Sequence, residues 1–232
     1  AGGVNPLACR EELLKILNNK IKIGIIQGDD IYQDIQYIRD KGVTFDHMDN
    51  GQSFDNIADR VYSANVYIDS FSIAEALKKG AQIVLAGRVS DPGLALGPCA
   101  HEFAWEKDHY DKIAAGTLAG HIIECGAQCT GGNFSAWKDV QDMANLGYPI
   151  IEMQKSGKFT ITKNKGTGGL VSRETVSEQV LYEMGDPNNY ISPDVCVDFT
   201  SFNLKDIGDD RVEITGAKGS KPTDTYKVSI SY

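Results

Sequence analysis

Twice in the first hundred residues an apolar run breaks at a glycine-and-aspartate turn and gives way to a helical pattern. Ile21-Lys22-Ile23-Gly24-Ile25-Ile26 stops at Gly28-Asp29-Asp30, after which Ile31, Ile35 and Ile38 recur at helical spacing as far as Gly42. Gln82-Ile83-Val84-Leu85-Ala86 stops at Gly87-Arg88-Val89-Ser90-Asp91-Pro92, and helical patterns follow at about 93–104 and 109–125. Short β-branched runs alternating with helices read as parallel strands linked by crossovers. Other segments fit the same reading. Residues 6–19 form a helical pattern with Pro6 in the first turn and Leu7, Leu13, Leu14 and Leu17 on one face. Val43–Met48 reads as a strand, and Ser72-Ile73-Ala74-Glu75 as a capping box opening a helix that ends at Lys79-Gly80. The N-terminal two thirds are therefore expected to form a largely parallel, doubly wound α/β sheet.

After about residue 149 the pattern changes. Ile150–Met153 and Phe159–Thr162 flank Ser156-Gly157 as in a hairpin, one helix follows at about 172–184, and strand-like runs occupy 195–204, 211–215 and 225–231. The expected organisation is an α/β core over 1–148 and a β-rich α+β region over 149–232, packed on the core in the same domain. The chain ends inside a strand pattern, which suggests truncation there.

Composition excludes several classes. The chain of 232 residues is 41% hydrophobic and carries a net charge of −9, and no Lys/Arg cluster suits a nucleic-acid duplex. No stretch approaches the ~18 apolar residues of a membrane span. Five cysteines at irregular spacing, Cys9, Cys99, Cys125, Cys129 and Cys196, do not read as a disulfide framework. The expectation is a cytoplasmic protein that acts on a small molecule, with no nucleic-acid or membrane partner; a homo-oligomer is compatible with it.

Four segments carry candidate chemistry. The adjacent carboxylates Asp29 and Asp30 stand where a parallel strand ends, so they suit a divalent metal, a base, or a helix cap. Arg88 and Ser90 occupy the second such turn, where a guanidinium meets either Asp91 or an anionic substrate group. His121 and Glu124 share a helix face, with Cys125, Gln128 and Cys129 beyond them. The thiol spacing is wrong for a zinc ribbon, so a pocket-lining helix end, a redox pair and a plain buried helix remain the readings. Lys163-Asn164-Lys165-Gly166-Thr167-Gly168-Gly169 runs from a strand toward a helix, as an anion nest or as a crossover turn.

The chain resembles the acyclic terpene utilisation (AtuA) family of bacterial catabolic proteins. The matching strings are AGGVNP at 1–6, GDD at 28–30, SANVYI at 63–68, GRVSDPGLALGP at 87–98, AGHIIECGAQCTGGNF at 119–134, ITKNKGTGGLVS at 161–172 and TYKVSI at 225–230. The resemblance implies that the chain begins inside the family domain, after a preceding α/β segment, and that sequence follows Tyr232. Family members often carry Ala where Cys129 stands. The family takes its name from breakdown of citronellol- and geraniol-type branched acids as CoA thioesters, and a lyase step on a branched hydroxyacyl-CoA is what it suggests. The residues assigned to such a step are Asp91, Glu124 and His121 as catalytic groups, and Arg88, Ser90, Gln128, Lys163, Gly166, Thr167, Gly168 and Gly169 as substrate-binding groups. The expected ligand is a CoA thioester substrate, with a divalent metal at Asp29 and Asp30 as the cofactor left open. The rival readings are a non-catalytic scaffold subunit and a divalent-metal hydrolase built on Asp29, Asp30 and Asp91.

Overall fold

The computed structural model describes residues 3–17 and 21–232. They fall into two compact units, one running up to Ser90 and taking in Asp224–Tyr232, the other Asp91–Thr223. The expected division at 148/149 lies inside the second unit.

In the first unit, helix α1 (Pro6–Ile16) begins where Asn5 accepts a hydrogen bond from the Ala8 amide, with Pro6 in the first turn. The last residues of the helix expected over 6–19 lie outside the described residues. Strand β1 (Ile23–Ile26) is followed by a 3-10 turn and a short helix α2 (Ile35–Asp40). Strand β2 (Ser63–Val66), helix α3 (Phe71–Lys78) and strand β3 (Ile83–Ala86) complete the run. β1 and β3 pair in parallel, Ile23 opposite Ile83 through Ile26 opposite Ala86. Ile26, Ile73 and Val89 form a buried cluster, against which Ile68, Leu77, Val84 and Ala86 pack.

The doubly wound parallel sheet is corrected here. The fold is mixed α/β, but among the described residues β1 and β3 are the one parallel pair of strands, and the other strand pairs are antiparallel. β2 pairs with the C-terminal strand Val228–Ser231, Val66 opposite Val228. A partner some 160 residues away cannot be read from local alternation. Val43–Met48 is not a strand: Phe45 has a left-handed φ of 58°, and the chain turns back through the His47 amide to Gln52 carbonyl bond. At α3 the start is capped by Asp69, whose carboxylate accepts from the Ser72 amide and hydroxyl.

The second unit starts with two helices in succession, α4 (Gly93–Phe103) and α5 (Tyr110–Ile123). Every residue of α5 from Ile113 to Ile122 is buried, as befits a helix apolar on all sides. The hairpin β4 (Pro149–Met153) and β5 (Phe159–Lys163) forms as the sequence indicated, with Ile151 opposite Ile161. Helix α6 (Arg173–Leu181) opens with a capping box between Ser172 and Thr175. Strands β6 (Tyr190–Ile191), β7 (Cys196–Asp198), β8 (Asn203–Gly208), β9 (Arg211–Thr215) and β10 (Lys218–Ser220) follow. They build two antiparallel sheets, in the orders β4-β5-β9-β8 and β10-β7-β6.

Candidate functional site

In the first unit, the two turns that follow the parallel strands meet. Asp29 is 5% exposed, and its Oδ2 accepts from the Arg88 amide at 2.7 Å and from Asn65 Nδ2 at 3.0 Å. Gly87 lies so close that a Cβ there would stand 1.8 Å from Asp29 Oδ1. The Asp29 carbonyl accepts from the Val66 amide, and Asp30 Oδ1 accepts from the Tyr32 amide. The carboxylate of Asp29 thus staples two strand ends and β2 together, which favours a structural role over metal binding. The strings GDD, SANVYI and GRVS are neighbours for this reason, with GDD and GRVS at the same end of the parallel pair β1 and β3.

Side chains alternate across this small sheet. Ala64 is buried and Ile68 packs on the core, while Asn65 and Tyr67 belong to the opposite, polar face. Arg88 joins that face: Ile68 bridges Val89 in parallel register, which sets Arg88 beside Tyr67, with its guanidinium carbon 5.0 Å from the ring centroid. Arg88 Nε donates to the Val89 carbonyl, and Ser90 is buried with its amide directed at Ile68.

In the second unit, the candidates around the end of α5 gather. The start of α4 crosses α5 so tightly that a Cβ on Gly120 would lie 2.4 Å from the Pro92 carbonyl oxygen. This brings Asp91 within electrostatic reach of Cys125, alongside Glu124 and Glu183. Cys125 Sγ donates to Glu124 Oε1 at 2.9 Å, and burial, reinforced by these carboxylates, pushes its thiol up to about 12. Cys129 is fully buried and its thiol is likewise raised to about 12. Both thiols are free and protonated at neutral pH, which suits a packed helix end and not a reactive pair.

His121 is 4% exposed; its Nε2 meets the Val180 carbonyl of α6 at 3.1 Å, and its ring packs edge-on to Tyr190 and Phe199. Burial lowers its pKa below 6.5. In the unfolded chain the imidazole titrates near 6.5, so on acidification the unfolded state takes up the proton first. Stability from neutral His121 is complete above about pH 6.5 and falls below it, by about 1.4 kcal/mol per pH unit until the folded pKa is reached. His121→Phe should flatten that acid slope in urea denaturation at pH 7.5 and 5.5. An unchanged slope would mean that His121 protonates freely within the fold.

The glycine loop does not offer its amides to an anion. The amide of Gly168 donates to the Asn145 carbonyl, that of Gly169 to Gln141 and that of Leu170 to Thr130. Lys163 Nζ donates to the Thr167 carbonyl and pairs with Asp210 at 2.9 Å. Thr167 Oγ1 donates to the Asn164 carbonyl. Gly166 stands open, at φ 79° with no neighbouring atom close. The loop meets the 119–134 string at Thr130 through the Leu170 amide. Gln128 keeps its amide oxygen buried without a partner among the described residues. Sequence reasoning missed Glu183, whose left-handed φ of 54° is invisible in the sequence, and Asn65 and Tyr67, whose alternation within SANVYI was the available signal.

Residues 1–232 match the model of the acyclic terpene utilisation family protein AtuA. No curated protein and no solved structure matches the chain. No helix among the described residues is long and apolar enough to cross a membrane.

Proposed function

Since the chain belongs to the acyclic terpene utilisation family AtuA, we propose that it is an enzyme acting on a branched acyl thioester by proton transfer beside the carbonyl, in a lyase or hydratase-like step. The observation that carries this reading is the end of α5, where Glu124 Oε1 accepts from Cys125 Sγ at 2.9 Å and the close approach of Gly120 to Pro92 brings Asp91 toward the same helix. Glu124 is exposed at the helix terminus, with one oxygen accepting from Cys125 Sγ, whereas His121 is held by the Val180 carbonyl and positions the helix end. On a branched β-hydroxyacyl thioester, a carboxylate in this place takes the hydroxyl proton as the carbon–carbon bond breaks to a carbonyl product and a thioester enolate, and the carboxylic acid so formed returns the proton to the enolate carbon; in dehydration the carboxylate takes the α-proton and, once protonated, gives it to the hydroxyl that leaves as water. Gln128, with its unpartnered amide oxygen, lies one turn beyond and suits a polar substrate group.

The test is incubation with branched hydroxyacyl-CoA thioesters, with products followed by mass. Glu124→Gln, at an exposed position, should keep the fold and lower kcat by roughly 10²- to 10⁴-fold, the usual contribution of a general acid or base. Turnover equal to wild type in that variant would remove Glu124 from the chemistry. The second reading is a non-catalytic binding subunit, favoured by the internal engagement of His121 and of the 168–170 amides. Stable capture of a partner protein with no thioester consumed would select it.

A further inference from the structure

Residues 146–148 lie along the turn that follows α5. Leu146 Cδ1 stands 3.4 Å from the position a Cβ on Gly132 would take. The buried Thr130 hydroxyl donates to the Gly147 carbonyl at 2.6 Å. The Tyr148 ring comes next, with Cε1 and Cζ 3.6 Å and the hydroxyl oxygen 3.9 Å from the Cβ position on Gly126. As the segment advances from 146 to 148, its partners step back from 132 through 130 to 126. Of the three residues, Tyr148 is therefore the one set against the end of α5. Glu124 lies two residues before Gly126, so their Cα atoms are at most ~7 Å apart.

The backbone at Tyr148 is fixed on both sides. The Gly147 amide donates to the Gly168 carbonyl at 3.1 Å, and Pro149 opens β4 opposite Lys163. A proline also holds the residue before it in an extended conformation. Yet the side chain is 71% exposed, and its hydroxyl bonds to no other side chain or backbone group among the described residues. We propose that Tyr148 is a substrate-binding residue of the site at the end of α5, its hydroxyl donating to the carbonyl oxygen of the thioester. This role rests on the thioester reading of Glu124. Both carbon–carbon cleavage and α-proton removal put negative charge on that oxygen as the enolate forms, and a fixed O–H donor is what stabilises it. An ionised carboxylate only accepts, so Glu124 cannot supply the donor. The Cys125 thiol is committed to Glu124, and His121 Nε2 to the Val180 carbonyl. The orphaned atom of Gln128 is an oxygen, an acceptor. The Tyr148 phenol supplies the missing donor and keeps its proton throughout, so the proton taken up and returned by Glu124 still balances.

The test joins turnover of a branched β-hydroxyacyl-CoA to calorimetric binding of an unreactive probe, a branched acyl-CoA without the β-hydroxyl. Tyr148→Phe should lower kcat roughly 10²- to 10³-fold, as for loss of one oxyanion donor. It should weaken probe binding only roughly three- to tenfold, as for one ground-state hydrogen bond. Its Tm should stay at the wild-type value, because the hydroxyl bonds to nothing else in the fold. Tyr226→Phe, at an exposed tyrosine of the first unit, should change neither kcat nor binding. If the wild type turns the thioester over and Tyr148→Phe matches it in kcat and in probe affinity, the role of Tyr148 is overturned and the thioester reading stands. If the wild type binds the probe but consumes no thioester, and Tyr148→Phe weakens the probe, the catalytic reading fails and Tyr148 stands as the residue that holds the carbonyl. Neither turnover nor probe binding in the wild type overturns both. A Tyr148→Phe variant whose losses come with an equivalent fall in Tm overturns the inference, since the hydroxyl then serves the fold.

Discussion

Gly120→Ala should cost the second unit about 3 kcal/mol or more, despite a gain in helix propensity. Gly120 lies inside α5, where alanine is preferred to glycine by about 1 kcal/mol. Propensity alone thus makes the change stabilising. The added Cβ, however, would stand 2.4 Å from the carbonyl oxygen, 2.6 Å from the Cα and 2.8 Å from the carbonyl carbon of Pro92. All three are backbone atoms at the start of α4, so no side-chain rotation relieves the overlap. The helices must separate, and the buried row from Ile113 to Ile122 would separate with them. Since 1 kcal/mol shifts Tm by roughly 2–4 °C in a chain of this size, a fall of roughly 6–12 °C is expected. The same displacement moves Asp91 away from Glu124 and Cys125, so any activity should fall further than stability explains. A thermal scan in which the alanine variant melts at or above the wild-type temperature would contradict the crossing of α4 and α5.

Local signals carried much of this fold and missed what depends on distant partners. The short strands at 23–26 and 83–86, the helices at 93–103 and 110–123 and the hairpin at 149–163 are visible because each rests on its own periodicity or turn residues. The pairing of β2 with Val228–Ser231 is not, because nothing in SANVYI names a partner at the far end of the chain. That pairing made the parallel sheet a wrong extrapolation from one parallel pair. The candidate residues followed the same rule. His121 and Glu124 share a helix face, and the glycine contact at Gly120 brings Asp91 within electrostatic reach of Cys125. Asp29 and Asp30 were open to a cap or a metal role because adjacent carboxylates at a strand end serve either. The bond from the Arg88 amide to Asp29, unseen in the sequence, favours the staple.

The glycine loop was open to two readings, and a pair of substitutions separates them. A run such as Gly166-Thr167-Gly168-Gly169 has the composition of an anion nest, in which small residues free the amides for a ligand. Gly168 and Gly169 sit in close backbone approach. A Cβ on Gly168 would lie 2.1 Å from the Asp142 carbonyl oxygen, and the Gly168 amide and carbonyl bond to Asn145 and Gly147. Gly168→Ala should therefore cost about 3 kcal/mol or more, by forcing the 141–147 segment off the loop. Gly166 differs: its φ is 79°, but no atom comes within 4 Å of the Cβ position. Alanine there should cost only the left-handed strain, about 1–2 kcal/mol. Urea denaturation of both variants measures the contrast. In an anion nest the two changes would have similar, small effects on stability and both would weaken phosphate binding. In a structural crossover Gly168→Ala is severe and Gly166→Ala mild, and neither changes phosphate affinity in the protein that remains folded. Equal, small stability losses together with weakened phosphate binding would return the loop to the role its composition first suggested.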